Sequence, residues 1–139
     1  MGSTYIAFHG GGFDANDAVI ELWLSLLVDE FDTLADAPAW LAEVREDWEI
    51  QATEGFNFGS DPHLDRFVTD ESRRDLVIML SGRVFDRLAP YGEIISADQL
   101  NELSHMRQEN GYFARDLPTS TFTGFGRQMV DLLKKAGSA

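Results

Sequence analysis

Val19 to Leu34 is the stretch that most constrains the fold. Wound at about 100° per residue, its apolar side chains Val19, Ile20, Leu22, Trp23, Leu24, Leu26, Leu27, Val28, Phe31 and Leu34 cover most of the circumference. Only Glu21, Ser25, Asp29 and Asp32 fall in a polar stripe, and Glu30 breaks the pattern near the end. A helix this apolar must be buried on nearly all sides. Glu21 and Asp29 interrupt it too early for a bilayer span. The expectation is a central core helix with one acidic seam, Glu21–Asp29–Asp32, reaching water. Asp14 or Asn16 suits its N-cap, and Asp17 suits the positive end of the helix dipole.

A second amphipathic helix follows. Asp36-Ala37-Pro38 reads as an N-cap with proline in the first turn. Trp40, Leu41, Val44, Trp48 and Ala52 then share one face, Glu43, Glu46 and Glu49 lie opposite, and Asp47 sits at the boundary. Charge concentrates here. Asp14 to Glu54 holds twelve acids and one base, Arg45, which makes −11 of the chain's −13. Residues 55–139 hold twelve acids against ten bases.

The rest of the chain reads as further short elements. Thr4–Phe8 is aromatic and β-branched, a predicted strand leading through His9-Gly10-Gly11-Gly12 into the first helix. Gln51–Pro62 reads as loop, with Phe56 and Phe58 alternating inside it. Asp61-Pro62 opens a brief helix with Leu64, Phe67 and Val68 as its apolar side. Asp70 caps a longer helix to about Ala89, with Val77, Leu80, Val84 and Leu88 buried and Arg83, Asp86 and Arg87 wet. Arg73 and Arg74 are expected to pair locally with Asp70 or Glu71. Glu93-Ile94-Ile95 is read as a partner for the N-terminal strand. Ser96-Ala97-Asp98-Gln99 fits a capping box opening a helix to about Glu109, with His105 on its solvated side and Asn110-Gly111 as its stop. Tyr112–Ser120 is loop. From about Thr121 a last helix aligns Phe122, Phe125, Met129, Leu132, Leu133 and Ala136, with Gly124 and Gly126 marking close packing. The fold class is therefore helix-dominated α+β: five or six helices around Val19–Leu34 and a small sheet holding Thr4–Phe8, in one domain spanning 1–139.

Tyr5-Ile6-Ala7-Phe8-His9-Gly10-Gly11-Gly12-Phe13 resembles the His-Gly-Gly-Gly oxyanion loop of the hormone-sensitive-lipase family of α/β-hydrolases. The resemblance implies glycine amides that hold a developing oxyanion. No serine in the chain has glycine at both −2 and +2, so the nucleophile elbow of that family is missing. Asp61, His63 and Asp65 place two carboxylates and an imidazole within five residues, too few ligands for a closed metal site. No catalytic residue, metal ligand or cofactor is assigned.

A sequence pI near 4.4 works against direct nucleic-acid binding, which needs clustered Lys and Arg, and against anionic membranes. The chain has no cysteine, no basic n-region followed by a long apolar h-region, and no eighteen-residue apolar run. The expected location is the cytoplasm. The expected function is an acidic protein that occludes a basic surface of a partner, a nuclease or nucleic-acid-binding complex. Immunity proteins and phage-encoded anti-restriction or anti-CRISPR proteins work in this way. The partner-binding residues would be Glu21, Asp29, Asp32, Glu43, Glu46, Asp47, Glu49, Phe56 and Phe58. The alternative is a small enzyme or small-ligand or metal-binding domain using the His9–Gly12 loop.

Overall fold

The computed structural model describes residues 2–54, 60–106 and 111–137. Among them the chain forms β1 (Ser3–Phe8), β2 (Gly11–Asn16), α1 (Asp17–Phe31), α2 (Trp40–Glu54), α3 (Leu64–Phe67), α4 (Glu71–Leu88), β3 (Ile94–Ile95), α5 (Ala97–Leu103), β4 (Leu117–Pro118) and α6 (Thr119–Gly137). The helix-dominated α+β architecture expected from the sequence is what the structure has.

α1 is the axis of the molecule. Asn16 caps it, its side-chain oxygen accepting from the Ala18 N–H at 2.8 Å. Thirteen of its fifteen residues are buried, so α1 has no solvent face. α2, α4 and α6 pack against it. Each large apolar side chain fully buried in this way contributes about 1.5–3 kcal/mol. α2 turns Leu41, Val44, Trp48 and Ala52 inward, and Trp48 stacks on Phe31 at 5.4 Å between ring centroids. α4 buries Val77, Leu80, Val84 and Leu88, and α6 buries Phe122, Phe125, Met129 and Leu133.

The N-terminal strand does not lead directly into α1. His9 and Gly10, with φ of 50° and 85°, make a two-residue turn, and Gly11–Asn16 returns antiparallel along β1 in the register Phe8↔Gly11 to Ser3↔Asn16. Two consecutive left-handed residues are what a tight hairpin of this hand requires, and glycine supplies one at no steric cost. Ile6 and Phe8 point into the core, and Phe13 meets Phe125 edge-on at 5.7 Å. A lone hairpin is marginal in water, so this one depends on α1 and α6 beneath it.

Other boundaries also move. α2 begins at Trp40 rather than Ala37. Asp70 caps α4, and Arg73 and Arg74 pair with Asp70 and Glu71, as the sequence indicates. Ile94–Ile95 pairs with Leu117–Pro118, not with the N-terminal strand, because the hairpin gives β1 a partner adjacent in sequence. Ser96 and Gln99 form the capping box, but α5 ends at Leu103. There Ser104 turns extended, and its hydroxyl accepts from the Met106 N–H while the His105 N–H donates to Ser25 Oγ on α1. A tertiary acceptor thus takes the donor that another helical turn would have used. Glu109 and Asn110 lie outside the described residues.

Candidate functional site

The polar stripe of α1 is where the sequence places its acidic seam. In the structure only its Asp32 end is exposed; Asp29 is half-buried, and Glu21 and Ser25 are buried. Each of its four residues is met by another segment. Glu21 is 5% exposed, and its carboxylate accepts from the Tyr112 hydroxyl at 2.7 Å and the Ser60 hydroxyl at 3.1 Å. Ser25 accepts the His105 N–H at 3.1 Å and donates to the Glu21 carbonyl. Asp29 takes the His105 ring at 2.8 Å and Arg87 at 3.4 Å. Asp32 is held by two bonds from Arg45, at 2.7 and 3.0 Å. The expectation of a water-facing stripe holds at Asp32 and is corrected at Glu21 and Ser25 for a physical reason: loop segments, α2 and α4 lie along the stripe, and polar groups there are the ones that can hold their backbone and side-chain donors.

His105 is the centre of this arrangement. It was expected on the wet side of a helix. Instead its side chain is 17% exposed, with Nδ1 2.6 Å from Glu49 and Nε2 2.8 Å from Asp29. Arg87 extends the network to Glu30, itself buried, so Arg87 is not simply a wet side chain of α4. Three helices and the segment after α5 therefore meet through three carboxylates, an imidazole and a guanidinium.

Burial above all holds the Glu21 carboxyl above its ordinary value of 4.5. The Tyr112 and Ser60 hydroxyls oppose that shift, and the Asp17 charge adds to it. The Tyr112 hydroxyl is pushed up as well, first by burial and then by its bond to Glu21. Asp32 behaves in the opposite way. The hydrogen bond from Arg45 lowers its pKa from 3.8, and the same bond raises that of Arg45.

On α2, Glu43 is exposed and pairs with Arg66 at 2.8 Å, Glu46 is exposed, and Asp47 accepts from Gln51 at 2.8 Å. Glu49 does not share the outer face with them; it turns to His105. Phe56 and Phe58 lie outside the described residues. Trp40 is half-buried under Arg73, whose guanidinium sits 4.9 Å from the ring centroid. The candidate surface therefore contracts to α2 and its approaches. Asp36, Glu46 and Glu54 are exposed there and form no ion pair among the described residues.

The His-Gly-Gly-Gly stretch forms the hairpin turn and the start of β2, so Gly10 turns the chain and Gly11 and Gly12 sit within a β-ladder rather than in an oxyanion loop. Beside it lies an open cavity of about 510 Å³ lined by Phe8, His9, Gly11, Phe13, Leu132 and Lys135 among others. Asp61 accepts from the His63 N–H at 2.9 Å, and Asp65 accepts from the His9 N–H at 3.0 Å. No group of three or more His, Asp or Glu side chains among the described residues is placed to hold a metal ion. None of the described helices is long and apolar enough to cross a membrane.

No protein-family model, curated protein or solved structure matches this chain.

Proposed function

We propose that this chain is an acidic, protein-binding inhibitor that covers a basic surface of a nuclease or nucleic-acid-binding protein, acting by occlusion rather than catalysis. The observation that carries this reading is how little of the acidic segment is neutralised from within. Asp14 to Glu54 holds twelve carboxylates. Arg45, Arg66 and Arg87 are the guanidiniums that pair with them among the described residues. Twelve carboxylates against three guanidiniums leave nine negative charges. Such a surface speeds encounter with a basic partner and discriminates against acidic ones. Phage-encoded anti-restriction and anti-CRISPR proteins, and immunity proteins against nuclease toxins, are the classes that use this principle.

The test is competition. DNA cleavage by purified restriction, CRISPR and toxin nucleases is measured with and without the protein, then with the Glu43→Lys/Glu46→Lys variant. Inhibition of one enzyme at a stoichiometric ratio is expected. In the variant the association rate should drop, and the drop should shrink at higher salt, where the screening length falls below about 8 Å. Inhibition of no nuclease, or equal inhibition by the folded variant, would reject the reading.

The small-ligand alternative has one observation behind it: the cavity beside the His9–Gly12 turn has the size of a ligand pocket. Shifts of the Gly11, Gly12 and Leu132 signals on titration with small-molecule fragments would favour it. Their absence would leave the inhibitor reading alone.

A further inference from the structure

We propose that the outer edge of β2 is a docking site for an extended, basic segment of a partner protein, which adds to the hairpin as a third strand. The argument starts at the turn. With His9 and Gly10 as the two turn residues, the flanking pair Phe8–Gly11 exchanges backbone hydrogen bonds, and so do Ile6–Phe13 and Thr4–Ala15. The alternate residues of β2, Gly12 and Asp14, therefore aim their N–H and C=O groups away from β1. Nothing among the described residues bonds to them. The β1 side differs: α3 packs against β1, and Asp65 accepts the His9 N–H. The β2 edge thus carries outward backbone groups that no described residue bonds, and such an edge is a template for strand addition.

Both faces of such an added strand would find something to contact. On the outer face Tyr5 is 54% exposed, the largest exposure among the big apolar side chains of the described residues. Its ring lies over Gly12, where a Cβ would fall 2.6 Å from Tyr5 Cζ. Asp14 is its cross-strand partner and is exposed. A π-face beside a carboxylate is a receptor for Lys or Arg. On the inner face lies the cavity between β2 and α6, walled by Phe8, Phe13 and Leu132, with Gln128, Asp131 and Lys135 also lining it. The opposite charges of Asp131 and Lys135 offset each other, so the apolar walls set the preference there. Charge selection belongs to the outer face, through Asp14, and to the net −13 of the chain. The segment that fits alternates basic and apolar residues. This inference rests on the hairpin and does not depend on the acidic surface of α2.

The test uses the full chain and a synthetic heptapeptide alternating Arg and Val. Controls are the Glu/Val analogue and the Arg/Val peptide with proline at its centre. Amide hydrogen exchange is read residue by residue. The Arg/Val peptide should slow exchange at Gly12 and Asp14, and the two controls should not. Asp14→Pro deletes one outward N–H that β1 does not use, a position where an edge strand tolerates proline. It should weaken binding roughly five- to tenfold, the equivalent of about one hydrogen bond. Asp14→Asn keeps the N–H, removes the charge and should lose less. Four results would overturn the proposal: no protection of these amides by the Arg/Val peptide at millimolar concentration, equal binding of the Glu/Val peptide, protection confined to α2, or protection without peptide that grows with protein concentration. The last would assign the edge to a second copy of this chain.

Discussion

A methyl group at Gly126 would fall 2.3 Å from Trp23 Cη2, so α6 lies directly against the benzo ring of the indole at the centre of α1. Trp23 is fully buried, and its ring also meets Phe85 and Phe125. The Nε1–H finds no acceptor among the described residues. Trp23 thus contributes shape and buried area rather than a hydrogen bond, and glycine is the residue that lets α6 approach it.

The first prediction follows from that contact. Gly126→Ala should destabilise by about 1–3 kcal/mol through overpacking, in spite of the better helix propensity of alanine. Gly124, two positions before Gly126, is the control. Nothing lies within 4 Å of its Cβ position, so Gly124→Ala should stabilise by about 0.5–1 kcal/mol. Urea midpoints of the two variants should move in opposite directions. Movement in the same direction would show that the indole does not set the helix spacing.

His105 should behave as a coupled element. Removing it with His105→Ala leaves Glu49 and Asp29 without the group between them, and a loss of about 1.5–3 kcal/mol is expected for charge-assisted bonds of this kind. Paired with Glu49→Ala in a double-mutant cycle, the two changes should be non-additive by at least about 0.5 kcal/mol. Additive losses would mean that the 2.6 Å contact contributes nothing to stability.

Glu21 predicts a pH dependence with a definite sign. Its folded-state pKa lies above 4.5, chiefly through burial. Above 4.5 the unfolded chain releases this proton while the native state still holds it. The associated stability is therefore fully present below 4.5 and is lost as pH rises through the raised value. Glu21→Gln cannot titrate. The stability difference, wild type minus variant, should decline as pH rises from about 4.5. A difference independent of pH would refute the assignment.

Asp32 should show the opposite slope and a smaller amplitude. Arg45 depresses its pKa from 3.8, so its contribution is present above that value and disappears as pH falls through the depressed one. The pair is open to water, with the two side chains 43% and 51% exposed. Asp32→Asn should therefore cost less than about 1 kcal/mol at neutral pH, and less again in high salt. A loss as large as that of His105→Ala would contradict the exposed geometry.

Local chemistry made several elements legible. Asp70 and the Ser96–Gln99 capping box mark helix starts through side chains that satisfy nearby backbone donors, and both sit where the structure places them. The apolar circumference of α1 requires a buried helix, because no arrangement of so many large side chains leaves one face free for water. The faces of α4 and α6 follow from the same periodicity.

Tertiary structure decided what the polar residues do. Glycines after a strand serve a hairpin or a strand-to-helix loop equally well. Packing of Phe13 on Phe125 selects the hairpin, and Ile94–Ile95 then finds Leu117–Pro118 instead. A carboxylate on a helix stripe reads as solvated until a distant donor arrives. Tyr112 reaches Glu21 across 91 residues and His105 reaches Asp29 across 76. Periodicity along one helix carries no information about such partners, because a long-range bond depends on where two segments of the chain come to rest. Sequence alone therefore determined that α1 is the core and that the surrounding charge is acidic. Only the folded chain decided which of those acids face water and which hold the protein together.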